Sequence, residues 1–257
     1  MIETTALANY LDELLETRRI PDYPGAINGL QLSNEAPIRK IAAAVDFSSR
    51  SVAEAVKQGA NFLLVHHGMF WSGAKPITGA RFRRFRLLIQ HDIAVYSSHL
   101  PLDCHRIFGN NMLLSRTLGL EPDGEFAHFK TLAIGVKGHA NILTHELIER
   151  VRHFASQHGG GTVVSGLTPD SVTKSWAICT GAGASAETLE EAADAGIDTL
   201  IVGEGPHWTA VEAEDLGITV IYAGHYATET LGVRALAEHL SERFSLDWVP
   251  VHAPTGL

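Results

Sequence analysis

Two adjacent histidines, His66 and His67, close an apolar run in the stretch LLVHHGMFW, Leu63 to Trp71. Neighbours on a strand point to opposite faces, so a His-His pair inside a sheet would leave one imidazole badly placed. Where a strand ends and the chain bends away, both rings can converge on one point. Further polar groups follow apolar runs in the same manner: His99 with Asp103, Glu204, and His225 with Glu229. Ligand sites in open α/β sheets gather at the carboxyl ends of strands, so this placement has the character of a site. Imidazoles and carboxylates in this number suit a divalent transition metal such as zinc, iron or manganese. They are generous for one ion and natural for two, bridged by carboxylates about 3.5–4 Å apart. Each cluster alone is weak. A lone His after a strand is more often a hydrogen-bonded structural residue, and carboxylates favour helix starts for dipole reasons. Their recurrence carries the metal reading.

The elements that must position these groups follow an α/β pattern, with short apolar runs alternating with helical periodicity. Helices are predicted near 5–17, 49–58, 81–90, 144–157, 186–195, 208–216 and 229–244. Strands are predicted near 41–45, 62–65, 93–96, 132–136, 176–179, 199–202 and 219–222. Pro101 favours a strand-to-helix turn after His99, and Thr228 is a candidate cap that sets Glu229 at the start of the last helix. The glycine-rich stretch from Gly159 to Thr168 lacks a P-loop lysine or a dinucleotide fingerprint and reads as a turn.

The halves look like copies. EAVKQGANFLLVHHG (Glu54 to Gly68) aligns without gaps on EAADAGIDTLIVGEG (Glu191 to Gly205), and VYSSHLPLD (Val95 to Asp103) matches IYAGHYATE (Ile221 to Glu229). Matching histidines and acids at one offset favour an internal duplication over two generic βα units. The expected architecture is therefore two similar α/β domains, residues 1–125 and 126–257, with mixed sheets flanked by helices. The metal site is expected in the cleft between them, and the last helix is free to pack on the first domain.

Composition excludes several classes. Of 257 residues 45% are hydrophobic, which predicts a folded chain. Twenty Lys and Arg against 29 Asp and Glu give a charge of −9, which argues against a general nucleic-acid binder. The basic run Arg81 to Arg86 reads as a solvated helix face. The N-terminal stretch lacks the basic start and apolar run of a signal peptide, and no stretch reaches membrane-spanning length. Cys104 and Cys179 are too few for a disulfide framework. A cytoplasmic protein without membrane partners is the expectation.

Five motifs in order resemble the GTP cyclohydrolase I type 2 family, also described as Nif-three-like dinuclear metal-centre proteins. They are NGLQL (Asn28 to Leu32), VHHGMFW (Val65 to Trp71), HLPLD with GNN (His99 to Asp103, Gly109 to Asn111), VGEG (Val202 to Gly205) and AGHYATE (Ala223 to Glu229). The resemblance spans nearly the whole chain. It implies two divalent metals per subunit and a toroidal homo-hexamer. It also implies His66, His67, Asp103, His225 and Glu229 as ligands, with His99 behind them, Glu204 as an acid, base or substrate contact, and one of Glu204 and His99 as the catalytic proton shuttle. Val202 stands where the family often has threonine, and GlyProHisTrp follows the GE pair. The expected activity is metal-dependent hydrolysis of a small molecule, GTP or a related nucleotide. The alternative is a ring-shaped metal-binding assembly or interaction protein without catalysis.

Overall fold

Ser48 and Ser185 each precede a helix and share one device. The Ser48 hydroxyl accepts from the Ser51 backbone N–H at 3.1 Å, while Ser51 Oγ accepts from the Ser48 N–H at 2.8 Å. Ser185 and Thr188 repeat this at 3.2 and 2.8 Å. Such reciprocal boxes satisfy backbone donors that a helix start leaves open.

The computed structural model describes residues 1–168 and 170–257. The chain opens with α1 (Thr4–Leu14), β1 (Gly29–Leu32), β2 (Lys40–Asp46), α2 (Ser49–Lys57), β3 (Phe62–His67), α3 (Gly79–Gln90), β4 (Ala94–Ser97) and the single turn α4 (Leu100–Asp103). It continues with α5 (Asn110–Thr117), β5 (Gly124–Phe129), β6 (Leu132–Leu143), α6 (Thr144–Gln157), β7 (Val163–Ser165) and β8 (Val172–Cys179). Then come α7 (Ala186–Asp194), β9 (Thr199–Val202), α8 (His207–Leu216), β10 (Thr219–Tyr222) and α9 (His225–Thr228). Helix α10 (Thr230–Phe244) and strand β11 (Asp247–Pro250) complete the fold. The chain is α/β, with two mixed sheets flanked by helices.

Unit 1 holds residues 1–108 and 232–253. Its sheet has the order β1-β4-β3-β2-β11. Strands β11, β2, β3 and β4 run parallel, and β1 is antiparallel to β4. Parallel strands need crossover helices, which cover both faces and make the strands apolar throughout. Alternate residues accordingly enter different cores. Ile41, Ala43, Phe62 and Leu64 pack with Leu7, Leu11, Leu236 and Leu240. Ala42, Ala44, Leu63 and Val65 pack with Val52, Ala55 and Leu88. Burying one such Leu contributes roughly 1.5–3 kcal/mol.

Unit 2 holds residues 109–231 and 254–257, and its sheet has the order β5-β6-β8-β9-β10-β7. Strands β8, β9 and β10 are parallel, with β7 antiparallel beside β10 and β6 antiparallel beside β8. Trp176, Ile178, Ile201 and Ile221 pack with Leu147, Val151 and Phe154 of α6. Ala177, Cys179, Leu200 and Val202 pack with Leu189, Ala192 and Ala213. The glycine-rich stretch read as a turn contains β7. Its three residues pair with Val220 to Tyr222, and that distant pairing makes them a strand.

Candidate metal centre

His66 and His67 are the last two residues of β3, inside the strand and not beyond it. By alternation His66 shares a face with Phe62 and Leu64, and His67 shares one with Leu63 and Val65. The ring centroids are nevertheless 4.8 Å apart, because both side chains sit where the strand stops. The β4–α4 turn adds His99 and Asp103, all four residues being buried.

Each of these imidazoles is held by its Nδ1. His66 Nδ1 donates to the Ser98 carbonyl at 2.8 Å, His67 Nδ1 to Asp46 Oδ1 at 2.9 Å and His99 Nδ1 to Asp22 Oδ1 at 2.8 Å. A carbonyl oxygen only accepts, so His66 Nδ1 carries a proton and Nε2 is the atom left to serve as a ligand. Asp46 and Asp22 accept as carboxylates, so His67 and His99 also carry a proton on Nδ1. One ligand atom from each of His66, His67 and His99 lies within 4.8 Å of the others. Asp103 Oδ2 stands 3.4 Å from His66 Nε2. The set is nitrogen and oxygen only, which fits a borderline dication, and the Nδ1 acceptors match the carboxylate–histidine–metal pattern. This histidine cluster can hold a metal ion.

The acceptor Asp22 is itself supported. Burial pushes its carboxyl up, but the His99 hydrogen bond and charge, then Asn28 and the Tyr23 N–H, outweigh that and hold it below the usual carboxylate range. Asn28 Nδ2 donates to Asp22 Oδ2 at 2.7 Å, and Asn28 Oδ1 accepts from the His99 N–H at 2.7 Å. The Leu100 N–H also reaches Asp22 Oδ2, at 2.9 Å.

Unit 2 carries a smaller set. His225 opens α9; its Nδ1 donates to Glu204 Oε1 at 2.7 Å, and its Nε2 lies 3.1 Å from Glu229 Oε2. Burial pulls the imidazolium down, yet Glu229 and then Glu204 outweigh it and push His225 up to about 9. Two carboxylates thus draw a positive charge to this point, where a proton and a dication compete. Gly181 has φ +65°, and a Cβ there would collide with the Glu229 carboxylate. Its N–H meets Thr228 Oγ1 at 3.1 Å, so a bare backbone turn wraps the buried Glu229. Thr228 spends its own proton on the His225 carbonyl at 3.0 Å.

Sequence reasoning missed Asp22, Asp46 and Asn28, the residues that orient the imidazoles. Asp46 had a signal: it follows the predicted strand 41–45 directly, as the other candidates follow theirs, and the structure pairs it with His67. Asp22 had none, lying 77 residues from His99. The structure also gives Glu204 a definite contact, the Nδ1 of His225, and brings His99 in among His66 and His67.

A sequence model of the family described as Duf34/NIF3 (NGG1p interacting factor 3) matches residues 2–253. The chain belongs to this family. This Duf34/NIF3 chain is 37% identical to a GTP cyclohydrolase 1 type 2 homolog of Deinococcus radiodurans, covering 98% of this chain and 93% of that one. It is 36% identical to the homolog of Pyrococcus abyssi, with both chains fully covered. Among solved structures, protein ybgI, titled as of unknown function, matches with TM-score 0.89 and 34% identity over the whole of both chains. TTHA1606 from Thermus thermophilus matches with TM-score 0.86 and 34% identity, again over both chains in full. Among the described residues, no helix is long and apolar enough to cross a membrane.

Proposed function

We propose that this Duf34/NIF3 chain is a two-metal hydrolase acting on a small molecule, GTP or a related nucleotide. One observation carries the reading: His66, His67, His99 and His225 each have Nδ1 held by an acceptor, which directs Nε2 as a ligand nitrogen. His128, His139 and His158 are held at Nδ1 in the same way, but only the other four belong to groups of ligand atoms within 4.8 Å of one another among the described residues.

In this reading His66, His67 and Asp103 from one half, and His225 and Glu229 from the other half of a duplicated chain, hold two divalent ions of zinc, iron or manganese. Divalent ions at such a site supply Lewis acidity and a water acidified toward neutral pH. The chain's own residues do the rest. Asp46, Asp22 and Glu204 fix the imidazole rings. Glu204, with a side chain 40% exposed, is placed to move a proton as well as to hold His225. His99 is either a further ligand or a proton carrier. The relatives named GTP cyclohydrolase 1 type 2 homologs support a nucleotide substrate and ring-opening hydrolysis.

The test is metal analysis coupled to turnover of a nucleotide panel with zinc, manganese or iron. Near two ions per chain and hydrolysis of one nucleotide are expected. Absence of turnover with all three metals sinks the hydrolase.

A second reading, a metal-binding assembly protein in a homo-hexamer, has its own observation. Helix α3 buries only Leu88, while Phe82 and Ile89 stay 50% and 68% exposed among arginines. Apolar side chains rimmed by charge mark an interaction surface. Light scattering decides it: a monomer at micromolar concentration removes this reading.

A further inference from the structure

We propose that Trp71 and Tyr23 form a platform on which a flat heteroaromatic ring stacks beside the histidine cluster. The inference rests on that cluster being the reaction site, and it names the part of the substrate that the site recognises.

Trp71 lies in the turn after β3, and Tyr23 in the loop between α1 and β1. The indole is T-shaped to the His99 ring with centroids 4.6 Å apart, and tilted over His67 at 4.9 Å. Tyr23 meets Trp71 edge-on at 6.3 Å and His99 at 6.0 Å. Both residues keep large exposure, 42% for Trp71 and 48% for Tyr23. A half-exposed aromatic is ordinary by itself. This pair differs because both rings rest against imidazoles that aim at one point.

The two segments that carry the rings are pinned to each other. Gln31 Nε2 donates to the Ala26 and Ile27 carbonyls at 3.1 and 2.8 Å. Gln31 Oε1 accepts from the Met69 N–H at 2.7 Å, and Arg81 Nη2 donates to the Met69 carbonyl at 3.1 Å. Gly25 lets the backbones meet, since a Cβ there would stand 2.6 Å from the Trp71 carbonyl. Asp22, which holds His99, also accepts from the Tyr23 N–H at 2.6 Å. The aromatic pair and the imidazoles are thus fixed by one hydrogen-bond network. That is preorganisation, which lowers the ordering cost of binding.

An indole face suits a π-system, because stacking on it tolerates any flat ring and contributes substantially per base. The indole itself lies 4.9 Å from the His67 ring and 4.6 Å from the His99 ring, so a flat ring stacked on it is held beside the imidazoles. A phosphate gains nothing from that face, and a small puckered sugar covers less of it than a flat ring does. Planarity is therefore the property selected here, whatever polar groups the substrate carries elsewhere.

The experiment measures guanosine and ribose 5-phosphate binding by calorimetry on metal-loaded protein, with metal content read in parallel. Wild type is compared with Trp71→Ala, Trp71→Phe and Trp208→Ala, the last being an equally exposed tryptophan, at 45%. Trp71→Ala is expected to weaken guanosine by on the order of tenfold or more. Trp71→Phe should recover most of the loss, Trp208→Ala should change nothing, and ribose 5-phosphate should be indifferent to all three. Equal guanosine binding by wild type and Trp71→Ala overturns the platform, as does a loss of ribose 5-phosphate binding in Trp71→Ala as large as that of guanosine. Loss of metal from Trp71→Ala overturns it too, because Trp71 would then merely brace the histidines. Guanosine affinity that persists in chelated wild type, yet falls in Trp71→Ala, supports the platform while counting against the two-metal reading.

Discussion

Units 1 and 2 use the same run of elements for unequal chemical loads. In each, three parallel strands alternate with helices, an antiparallel edge strand lies beside the third, and a one-turn helix follows it. Unit 1 hangs three imidazoles and a carboxylate on that frame, from His66, His67, His99 and Asp103. Unit 2 hangs one imidazole and one buried carboxylate, His225 and Glu229, with Glu204 behind the imidazole. A site closed by protein alone takes about four donors. Unit 1 therefore approaches a sufficient set and unit 2 does not. The frame sets where donors emerge, and the residue at the end of each middle strand decides how many there are: the His66-His67 pair that ends β3, against Gly203 and Glu204 after β9.

The strongest way to break this asymmetry is to remove the richer set. His66→Ala combined with His67→Ala should leave essentially no bound metal after dialysis, read by plasma mass spectrometry. His225→Ala or Glu229→Ala should only lower the content, toward one ion per chain. Two retained ions in the double variant, or complete loss in the Glu229 variant, would reverse the ranking of the units.

Next in size is Glu204. Gln at this position still accepts from His225 Nδ1, so the ring stays in place and metal content should hold. If Glu204 also moves a proton, turnover on the best nucleotide falls by about 10²–10⁴-fold. Glu204→Ala removes the acceptor as well, and metal affinity should then drop by about 10–100-fold. Metal loss in the Gln variant would make Glu204 a ligand in its own right.

Metal removal gives a smaller, thermodynamic effect. With free metal at a hundred times its dissociation constant, binding adds about 2.7 kcal/mol, which chelation withdraws and a melting curve records. Amide exchange locates the change. Protection should fall most at 62–67 and 97–103 if unit 1 dominates, and a loss confined to 222–229 would contradict that.

The sequence made the strands and helices that carry chemistry readable, because their pattern is local. Thr199–Val202, Thr219–Tyr222 and Thr144–Gln157 coincide with the periodicity that predicted them. What stayed hidden depends on distant partners. Strand β11 exists because Asp247 to Pro250 pair with Lys40 to Ala43, some two hundred residues earlier. Its Pro250 is tolerated because β11 is a sheet edge. The candidate site residues followed the same division. His66, His67, His99, Asp103, Glu204, His225 and Glu229 stand out by type and spacing, whereas Asp22 looks like any loop aspartate until the fold brings it to His99.

Asp22 supplies the finest test of how unit 1 holds its imidazoles. Asn at this position can still accept from His99 Nδ1. Its amide then faces the Asn28 side-chain amide and the Leu100 N–H, which both donate to Asp22 Oδ2 at 2.7 and 2.9 Å. Two donors are left without an acceptor, so Asp22→Asn should cost about 1–3 kcal/mol at pH 7 in metal-free protein. The dependence on pH has a definite sign. The folded carboxyl of Asp22 sits below its ordinary value, so its contribution is complete above the unfolded value near 3.9 and fades as pH falls through the folded one. Denaturation curves of wild type and Asp22→Asn should therefore stay separated from pH 7 down to about 5 and converge below about 4. A gap that widens on acidification would mean that Asp22 is protonated in the native protein. The His99 ring would then be held by a neutral acid, and the assignment of a proton to His99 Nδ1 would fail.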